Sequence, residues 1–429
     1  MLLRPGALPM YMHAHGGGDR HHDGFQQVTT VDAARARLLA VIEAIDRTER
    51  VPLEVADGRV TATVLTASVD VPAYDRAAMD GWAVQAADTY GASPRRPELL
   101  DVLEAEPATA PETAVQSGGA VRVHTGSQLP TGADAIVMLE QADHVGGRLE
   151  VTSTVSPGTN VAPTGEDISA DQQLYTAGHR LRPSDLGLLR SVGRAEVPVR
   201  AEPRVSVIPT GEEVVQADPG PGEVIETNGL TVSRLVARWG ARPSYREVVT
   251  DDPDELAAAL RTDLDHDLIV TTGGSSVGTR DLLPEVVEEL GTVSVHGVAL
   301  KPGHPVAIGV VDDTPIVMLP GYPVAAIINA MQFVRPAIAA LLGVAPQAVP
   351  TRTGRLHRKI VSEPGVRSFV RVRVERTEAG HLKVDPVMVG GSGVLSSVAL
   401  ADGWVVVEES AEGIEADEDV TVEFWEGVP

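Results

Sequence analysis

The sequence predicts a multidomain protein in which an α/β domain is joined to β-rich domains. Strand and helix candidates alternate between residues 203 and 345, whereas short runs rich in Val, Thr, Gly and Pro fill residues 66–171. Alternation at this spacing is typical of a parallel sheet with right-handed helical crossovers. Three glycine-rich loops in the α/β region each follow a short apolar run. They should therefore lie together at the carboxyl ends of the strands.

Length and composition divide the chain further. It has 429 residues, too many for one ordinary core, which favours several domains. The expected segments are a His- and Gly-rich tail (1–25), an elongated N-terminal domain (26–65 with 172–202), a β-rich domain (66–171), an α/β domain (203–345) and a C-terminal β domain (346–429). The histidines of the tail suit Ni²⁺ or Zn²⁺, and they equally suit a disordered leader.

Hydrophobic periodicity predicts the individual elements. A first helix is expected from Thr30 to Thr48, and a short second helix at Pro183–Ser191. Strand candidates in the α/β domain are Val205–Pro209, Tyr245–Val249, Leu268–Thr271, Val293–Val298, Pro305–Val310 and Ile316–Leu319. Its helix candidates are Asn228–Trp239, Pro253–Leu264, Leu282–Leu290 and Val324–Leu342. The last domain has strand candidates at Phe369–Val374, Trp404–Glu408 and Val420–Phe424.

The charge balance limits the partners. The formal net charge is −25, and Lys301, Lys359 and Lys383 are the only lysines. Such a surface repels nucleic acid and anionic membranes, so neither is expected as a partner. The composition resembles that of proteins from a salt-rich cytoplasm, although a GC-rich genome would also replace lysine by arginine. An anionic ligand would need a local positive site, which draws attention to Lys301 beside a glycine.

The residue types that are present or absent exclude several classes of protein and of functional site. Cysteine is absent, which excludes disulfides, thiolate catalysis and cysteine-ligated zinc. No run resembles a signal peptide or a transmembrane span, because polar residues interrupt the most apolar helix candidate, Ala325–Leu342. We therefore expect a soluble cytoplasmic protein.

The second glycine loop has the residues that suit a phosphate. Gly273, Gly274 and Gly278 let backbone N–H groups approach an anion, and Ser275 and Ser276 can donate further hydrogen bonds. The helix that follows points its N-terminus at the ligand. A cradle for a phosphate is therefore expected between the end of this strand and the next helix.

Acidic and basic side chains accompany the loops. Asp281 suits either the N-terminal cap of the next helix or a metal ligand. The first loop, from Thr210 to Glu213, contributes carboxylates, and the third, from Leu319 to Pro323, places Pro323 in the first turn of a helix. Proline and glycine follow Lys301 directly, which suggests a positioned cation.

Two strings in the β-rich region are less usual. One contains Asp80-Gly81 within Pro72–Val84, and the other contains Thr125-Gly126 within Arg122–Glu140. An isolated Asp-Gly pair predicts a hairpin turn. The order in which these and the other sequence motifs follow one another along the chain indicates their function.

In that order the strings closely resemble the molybdopterin molybdenumtransferase family, which includes bacterial MoeA and the E domains of plant and animal molybdenum-cofactor proteins. The resemblance extends from Thr30 to the C-terminus. It includes Ala-Met-Asp-Gly at 78–81, Thr-Gly at 125–126, Gly-Glu-Asp-Ile at 165–168, Thr-Gly-Glu-Glu at 210–213, Gly-Gly-Ser-Ser-Val-Gly at 273–278, Lys-Pro-Gly at 301–303, Leu-Pro-Gly-Tyr-Pro at 319–323 and Gly-Ser-Gly at 391–393. It implies a MoeA-like fold with a parallel-sheet molybdopterin-binding domain, an N-terminal helical and extended domain, a β-rich insert and a C-terminal β-barrel-like domain.

The resemblance also implies an activity and its residues. Family members insert molybdate into adenylylated molybdopterin and release AMP with the help of a divalent cation, usually Mg²⁺. Catalytic roles are implied for Asp80, Thr125 and Lys301. Implied metal ligands are Asp167, Glu213, Asp251 and Asp281. Implied substrate-binding residues are Gly273, Gly274, Ser275, Ser276, Gly278, Pro320, Gly321, Pro323 and Ser392.

Partners follow from the same resemblance. Family members combine the β-rich domain of one subunit with the α/β domain of its partner, so a homodimer is implied. Molybdopterin adenylyltransferase, which acts one step earlier, is a further candidate partner. It shares an α/β unit but lacks a β-rich region with Ala-Met-Asp-Gly, so residues 66–171 argue against that activity for this chain.

Several residues depart from the family pattern. Arg76 and Ala77 replace Asn and Ser, and Tyr322 replaces the common Asn, a variant associated with archaeal members. Basic residues found in relatives are replaced by Gly297 and His304, and arginines are missing from 162–164. A tungstate-specific paralogue and a non-catalytic molybdopterin-binding or scaffold protein are the alternatives. Retention of the catalytic and metal-binding aspartates argues against the scaffold.

Overall fold

The computed structural model describes residues 29–103, 114–273, 282–378, 380–387 and 393–425. They form two compact units, Ile45–Ala201 on one hand and, on the other, the residues up to Ala44 with those from Glu202 onward. Helix α1 (Val31–Leu39) begins where the Thr30 hydroxyl accepts the N–H of Ala33. The expected helix to Thr48 is therefore too long, because residues from Thr48 onward form a strand instead.

The unit Ile45–Ala201 consists mostly of strands. Its elements are β1 (Thr48–Pro52), β2 (Leu65–Thr66), β3 (Arg76–Ala77), β4 (Gly81–Val84), β5 (Glu98–Leu103), β6 (Gly119–Val123), β7 (Ala135–Met138), β8 (Ala142–Val145), β9 (Arg148–Val151), β10 (Val161–Ala162), β11 (Gln173–Tyr175), α2 (Pro183–Ser191) and β12 (Glu196–Arg200). A six-stranded sheet has the order β7-β4-β6-β5-β9-β8, and β1–β12, β2–β11 and β3–β10 form antiparallel pairs. The β1–β12 pairing holds Thr48 in extended structure.

The α/β part of the other unit follows the expected alternation. It contains β13 (Arg204–Pro209), β14 (Val214–Val215), β15 (Val224–Ile225), α3 (Asn228–Arg238), β16 (Arg242–Tyr245), α4 (Pro253–Thr262), β17 (Leu268–Thr272), α5 (Leu282–Leu290), β18 (Thr292–His296), β19 (Leu300–Lys301), β20 (Ala307–Val311), β21 (Thr314–Leu319), α6 (Pro323–Asn329) and α7 (Arg335–Leu341). The strand expected at Tyr245–Val249 in fact ends at Tyr245, where its parallel pairing with β13 stops.

The sheet is parallel at its centre and antiparallel at one edge. Its order is β16-β13-β17-β21-β20-β18, and the first four strands are parallel. Strands β20 and β21 form a tight antiparallel hairpin through Asp312 and Asp313, which both have positive φ. The predicted parallel sheet is present in the strands whose carboxyl ends carry the three glycine loops, and β20 and β18 add an antiparallel edge.

The helices cover the sheet with apolar side chains. On one face α4 and α5 bury Leu256, Leu260 and Leu283 against Ile269 and Ile316 of the sheet. Helix α6 continues through a π-helical turn (Ala330–Val334) into α7. The resulting helix, Pro323–Leu341, is long and apolar enough to cross a membrane, but 78% of its most apolar window is buried within the protein. Such burial is typical of the core helix of a soluble domain.

The C-terminal part is a closed barrel. Its elements are β22 (Thr351–Leu356), β23 (Ile360–Val361), β24 (Arg367–Arg376), β25 (Leu382–Pro386), α8 (Ser396–Ala399), β26 (Gly403–Val407), β27 (Gly413–Ile414) and β28 (Asp419–Phe424). Strands pair in the order β24-β25-β22-β28-β26, and β26 pairs with β24 to close the ring. This confirms the barrel-like prediction. Arg367 of β24 also forms a bidentate ion pair with Asp32 of α1, with N–O distances of 3.1 and 2.9 Å.

Candidate active site

The three glycine loops meet at the carboxyl ends of β13, β17 and β21. The Thr210 N–H donates to the Thr272 carbonyl at 2.9 Å, and the Gly273 N–H donates to the Leu319 carbonyl at 3.2 Å. A Cβ on Gly273 would lie 2.1 Å from the Thr210 carbonyl oxygen, and a Cβ on Gly321 would lie 3.4 Å from the Gly273 Cα. Because any side chain at Gly273 would collide with the first loop, glycine is required there. Gly274, Ser275, Ser276, Gly278 and Asp281 lie outside the described residues.

Three buried threonine hydroxyls lie beside this junction. Thr210, Thr271 and Thr272 are at most 3% exposed, and each Oγ1 has no hydrogen-bond partner within the described ranges. A buried hydroxyl without a partner costs about 1–3 kcal/mol. Sequence reasoning missed these hydroxyls, although a Thr-Thr pair that ends an apolar strand is a visible signal.

The first loop brings two of the predicted metal ligands together. The Glu213 carboxylate lies close to Gly211, since a Cβ there would be 3.4 Å from Glu213 Oε2. Partial burial and then the charge of Glu213 raise the pKa of Asp251, while the Glu212 N–H opposes them by donating to the carboxylate. Asp251 Oδ1 is buried and has no partner among the described residues. Two adjacent carboxylates with an unsatisfied oxygen fit a divalent cation.

The complete predicted ligand set is not assembled in the described part of the chain. No group of three or more His, Asp or Glu side chains is placed to hold a metal ion there. Asp167 belongs to the unit Ile45–Ala201, where its N–H donates to the Val71 carbonyl at 3.0 Å. Asp251 and Glu213 are thus the pair whose environment suits a cation, and the roles of Asp167 and Asp281 stay predictions.

Lys301 lies on a strand that joins the C-terminal barrel. Strand β19 pairs with β24 in parallel, with Lys301 opposite Ser368. The ammonium lies 3.8 Å from the Glu363 carboxylate and its side chain is 67% exposed, so Lys301 can reach an anion in solvent. The loop after it is held by Asn329, whose Nδ2 donates to the Gly303 carbonyl at 3.0 Å. His304, at the position that is basic in relatives, shares a 2.7 Å hydrogen bond between its Nδ1 and the Val298 carbonyl.

The third loop is fixed by an amide. Asn228 Nδ2 donates to the Gly321 carbonyl at 2.7 Å, and Pro323 begins α6 directly after Tyr322. Tyr322 is 59% exposed, and its ring lies beside Gly393, where a Cβ would be 3.4 Å from the ring. Tyr322 therefore contacts the Gly-Ser-Gly segment of the C-terminal part. Ser392 of that segment lies outside the described residues.

In the other unit, Asp80 and Thr125 form a compact pair. The N–H and the hydroxyl of Thr125 both donate to Asp80 Oδ1 at 2.7 Å. These two bonds hold the pKa of the Asp80 carboxyl below its usual value, with smaller help from His124 and Arg122. His124 Nδ1 lies 3.9 Å from Asp80 Oδ2. Asp80 is therefore a fixed carboxylate with one oxygen held and the other facing solvent.

Gly81 explains why this Asp-Gly pair is not a hairpin turn. Gly81 begins β4, which lies between β7 and β6 in the six-stranded sheet, and it pairs with Val123 and Met138. A Cβ on Gly81 would lie 2.2 Å from the Val137 carbonyl oxygen. The glycine thus lets a neighbouring strand approach closely, and the sheet sets the direction of the aspartate before it.

Asp75, which precedes Asp80 in the sequence, forms a second Asp–Thr pair of the same kind. The N–H and the hydroxyl of Thr164 donate to Asp75 Oδ1 at 2.7 and 2.8 Å, which lowers the pKa of Asp75. Sequence reasoning missed this pair, because the two residues are far apart in the chain. Of the departures, Ala77 is buried and Arg76 is exposed opposite Ala162.

Three family models match successive parts of the chain. The MoeA N-terminal region (domains I and II) matches residues 29–193, a probable molybdopterin binding domain matches 206–340, and the MoeA C-terminal region (domain IV) matches 353–425. Together they cover most of the chain, in the order that the motifs predict.

Relatives agree along almost the full length. The chain is 34% identical over 385 residues to a molybdopterin molybdenumtransferase of Bacillus subtilis, covering 87% of this chain and 89% of that protein. It is 33% identical over 387 residues to a putative molybdopterin biosynthesis protein of Methanocaldococcus jannaschii, covering 88% and 92%. A solved MoeA structure from Pyrococcus horikoshii is 30% identical, covers 93% and 100%, and aligns with a TM-score of 0.79. The chain belongs to the molybdopterin molybdenumtransferase (MoeA) family and is a transferase of molybdenum cofactor biosynthesis.

Proposed function

We propose that this enzyme inserts molybdate into adenylylated molybdopterin and releases AMP. The observation that carries the proposal is the junction of three glycine loops in the same unit as the Asp251 and Glu213 carboxylates. Backbone N–H groups at strand ends bind phosphate, and cleaving a phosphoanhydride needs fixed groups that stabilise developing negative charge.

Each residue has a role in this proposal. The loops at Gly273 and Gly321 bind the pterin phosphate and the adenylate, and Lys301 holds an anionic group as a point charge. The fixed Asp80 carboxylate orients the reacting groups, because Thr125 prevents it from rotating. A molybdate oxygen forms a bond to the phosphorus of the pterin phosphate as the phosphoanhydride P–O bond breaks, and AMP leaves with the electron pair of the broken bond.

Mg²⁺ fits the first loop. Asp251 and Glu213 would hold it, since burial and mutual repulsion leave Asp251 with an unsatisfied oxygen. When bound, Mg²⁺ neutralises charge on the phosphate oxygens. Asp167 and Asp281 are proposed as further ligands by resemblance.

The test is AMP release from adenylylated molybdopterin with Mg²⁺ and molybdate, followed by chromatography at low and high KCl. Wild type should release AMP, and Asp80→Ala should be about a hundredfold slower while it keeps its fold. Absence of AMP release from wild type at any salt concentration would refute the enzyme and favour a binding or scaffold protein. Equal rates for Asp80→Ala and wild type would refute the role of Asp80.

A competition experiment can identify which oxyanion the enzyme prefers. Molybdate and tungstate are tetrahedral and nearly equal in size, so the geometry of the loops accepts both. We propose molybdate, in agreement with the names of the relatives. Equilibrium dialysis with both oxyanions at equal concentration measures the preference, and a tenfold preference for tungstate would identify a tungstate-specific paralogue.

We further propose a cytoplasmic homodimer, with molybdopterin adenylyltransferase as a candidate partner that supplies the substrate. In the homodimer, Asp80 of one subunit would act with Asp251 of the other. Asp80→Ala and Asp251→Ala subunits, unfolded and refolded together, should then recover about a quarter of wild-type activity, because half of the dimers hold one intact site. If both residues acted within one subunit, the mixture would stay inactive.

A further inference from the structure

We propose that the C-terminal barrel carries a second anion-binding site, which takes a small molecule with two or more phosphate groups. The site is a cavity of about 820 Å³ whose lining shares no residue with the glycine loops. Its cationic residues are Arg352 and Arg355 of β22, Arg376 at the end of β24, and Lys383 of β25. Cavities of 300–1,000 Å³ are typical of small-molecule sites.

The barrel opens at this place because two strands diverge. Strands β22 and β25 are the parallel neighbours of the barrel, and they pair at only two positions, Arg355 with Lys383 and Leu356 with Val384. Before Arg355, β22 pairs with β28 alone. Residues of β22, β24 and β25 line the cavity at this place.

Charge is segregated in this part of the sequence. Residues 351–383 contain nine Arg or Lys and three Asp or Glu, a net charge of +6, in a chain whose total is −25. Residues 384–425 contain ten Asp or Glu and neither Arg nor Lys. In the folded barrel several of these cations pair with the acidic residues of 384–425, so the local positive charge rests on those without such a pair in the described part of the chain, which include Arg352 and Arg376.

Two of the lining arginines are available to a ligand. Arg355 is paired with Asp419 at 3.2 Å, and Lys383 lies 3.8 Å from Asp385. Arg352 and Arg376 are exposed and form no ion pair with any described residue. A guanidinium group binds phosphate through two parallel N–H donors, so two free arginines suit two phosphate groups.

The remaining polar lining sets the orientation. His357 and His381 are exposed on the basic side and can donate hydrogen bonds. Asp419 is paired with Arg355, and Asp417 also lines the cavity; both would repel phosphate, while they could accept hydrogen bonds from hydroxyl groups of the same ligand. The presence of four cationic residues in the lining of one cavity favours a small molecule over an acidic polypeptide.

The test is calorimetric titration of the full-length protein with pyrophosphate in the absence of Mg²⁺. Wild type should bind, and Arg352→Ala with Arg376→Ala should raise the Kd at least tenfold. The matched control is Arg95→Ala with Arg261→Ala, which removes the same charge from exposed positions outside the cavity. Lack of binding to wild type, or equal weakening by both pairs, would overturn the proposal.

A second measurement locates the bound pyrophosphate. Hydrogen–deuterium exchange should slow in residues 351–356 and 371–383 of wild type but not of the Arg352/Arg376 double variant. Slowing confined to the glycine loops at 210–213 and 319–323 would place the anion in the active site and refute the barrel site. AMP release should be unchanged in the double variant, so this result is independent of the proposed reaction.

Discussion

The two units hold two of the predicted active-site carboxylates, the catalytic Asp80 and the metal ligand Asp251, in opposite ways. Asp80 is exposed, and two hydrogen bonds from Thr125 lower its pKa, so it is a fixed anion before any ligand binds. Asp251 is partly buried beside Glu213, its pKa is raised, and one oxygen has no partner among the described residues. The first environment is complete by itself, whereas the second needs a proton or a cation.

The largest expected effect comes from breaking the framework of Asp80. Gly81→Ala places a Cβ 2.2 Å from the carbonyl oxygen of Val137 on the neighbouring strand β7. We expect a loss of about 3 kcal/mol in the free energy of unfolding, measured with urea. Gly187→Ala in α2 is the control, since a Cβ there meets nothing within 4 Å and should stabilise the helix by about 0.5–1 kcal/mol. Equal effects of the two substitutions would contradict the role of Gly81.

The second prediction concerns the unsatisfied carboxylate. Mg²⁺ at ten times its Kd should stabilise wild type by about 1.4 kcal/mol, and Asp251→Asn should abolish this increment. Because the pKa of Asp251 is raised in the folded state, its contribution to stability is greatest when it is protonated and is lost as pH rises through the folded-state pKa. Asp251→Asn should remove that loss in Mg²⁺-free urea titrations across the pH range. Retention of both effects in the variant would exclude Asp251 as their source.

The third prediction tests how Asp80 is kept ionised. Thr125→Val removes the hydroxyl donor but keeps the backbone donor, so the pKa of Asp80 should rise. The acid side of the pH–rate profile for AMP release should move to higher pH, and a rise of one in the pKa should lower the rate at low pH about tenfold. Thr125→Ser should restore the wild-type profile. An unchanged profile for Thr125→Val would show that the backbone N–H alone holds the carboxylate.

The smallest effect concerns an unpartnered hydroxyl. Thr272→Val keeps the shape of a fully buried side chain and removes a donor that has no partner in the described structure. The variant should be more stable by about 1 kcal/mol in thermal unfolding, and it should bind substrate more weakly. A loss of stability would show that the hydroxyl is satisfied in the free protein.

Much of the fold could be read from the sequence, because the central strands are strongly apolar and their loops are rich in glycine. Parallel strands bring their carboxyl ends together, so the meeting of Thr210, Gly273 and Gly321 was predictable from topology alone. The antiparallel edge was not, since Asp312 and Asp313 form a hairpin turn without the usual glycine. The end of α1 was also missed. Ile42 and Ile45 continue the helical spacing, and long-range pairing of β1 with β12 determines the extended structure that follows.

The site residues that belong to one sequence motif could be predicted. Contacts between residues that are distant in the sequence could not. Asp80 and Thr125 were each expected to act, but their two hydrogen bonds span 45 residues. The contact between Thr164 and Asp75 spans 89 residues and has no local signal. The Thr271-Thr272 pair at the end of an apolar strand was visible in the sequence, but the lack of a partner for these hydroxyls among the described residues depends on packing and was not.

The pairing of β19 with β24 limits where this chain can be truncated. Lys301 is encoded within the α/β region, yet its backbone is paired with a barrel strand that begins dozens of residues later. A gene truncated before the barrel would leave Leu300 and Lys301 without that pairing, and the lysine without a fixed position. The barrel therefore cannot be removed from this chain without also releasing the segment that carries Lys301.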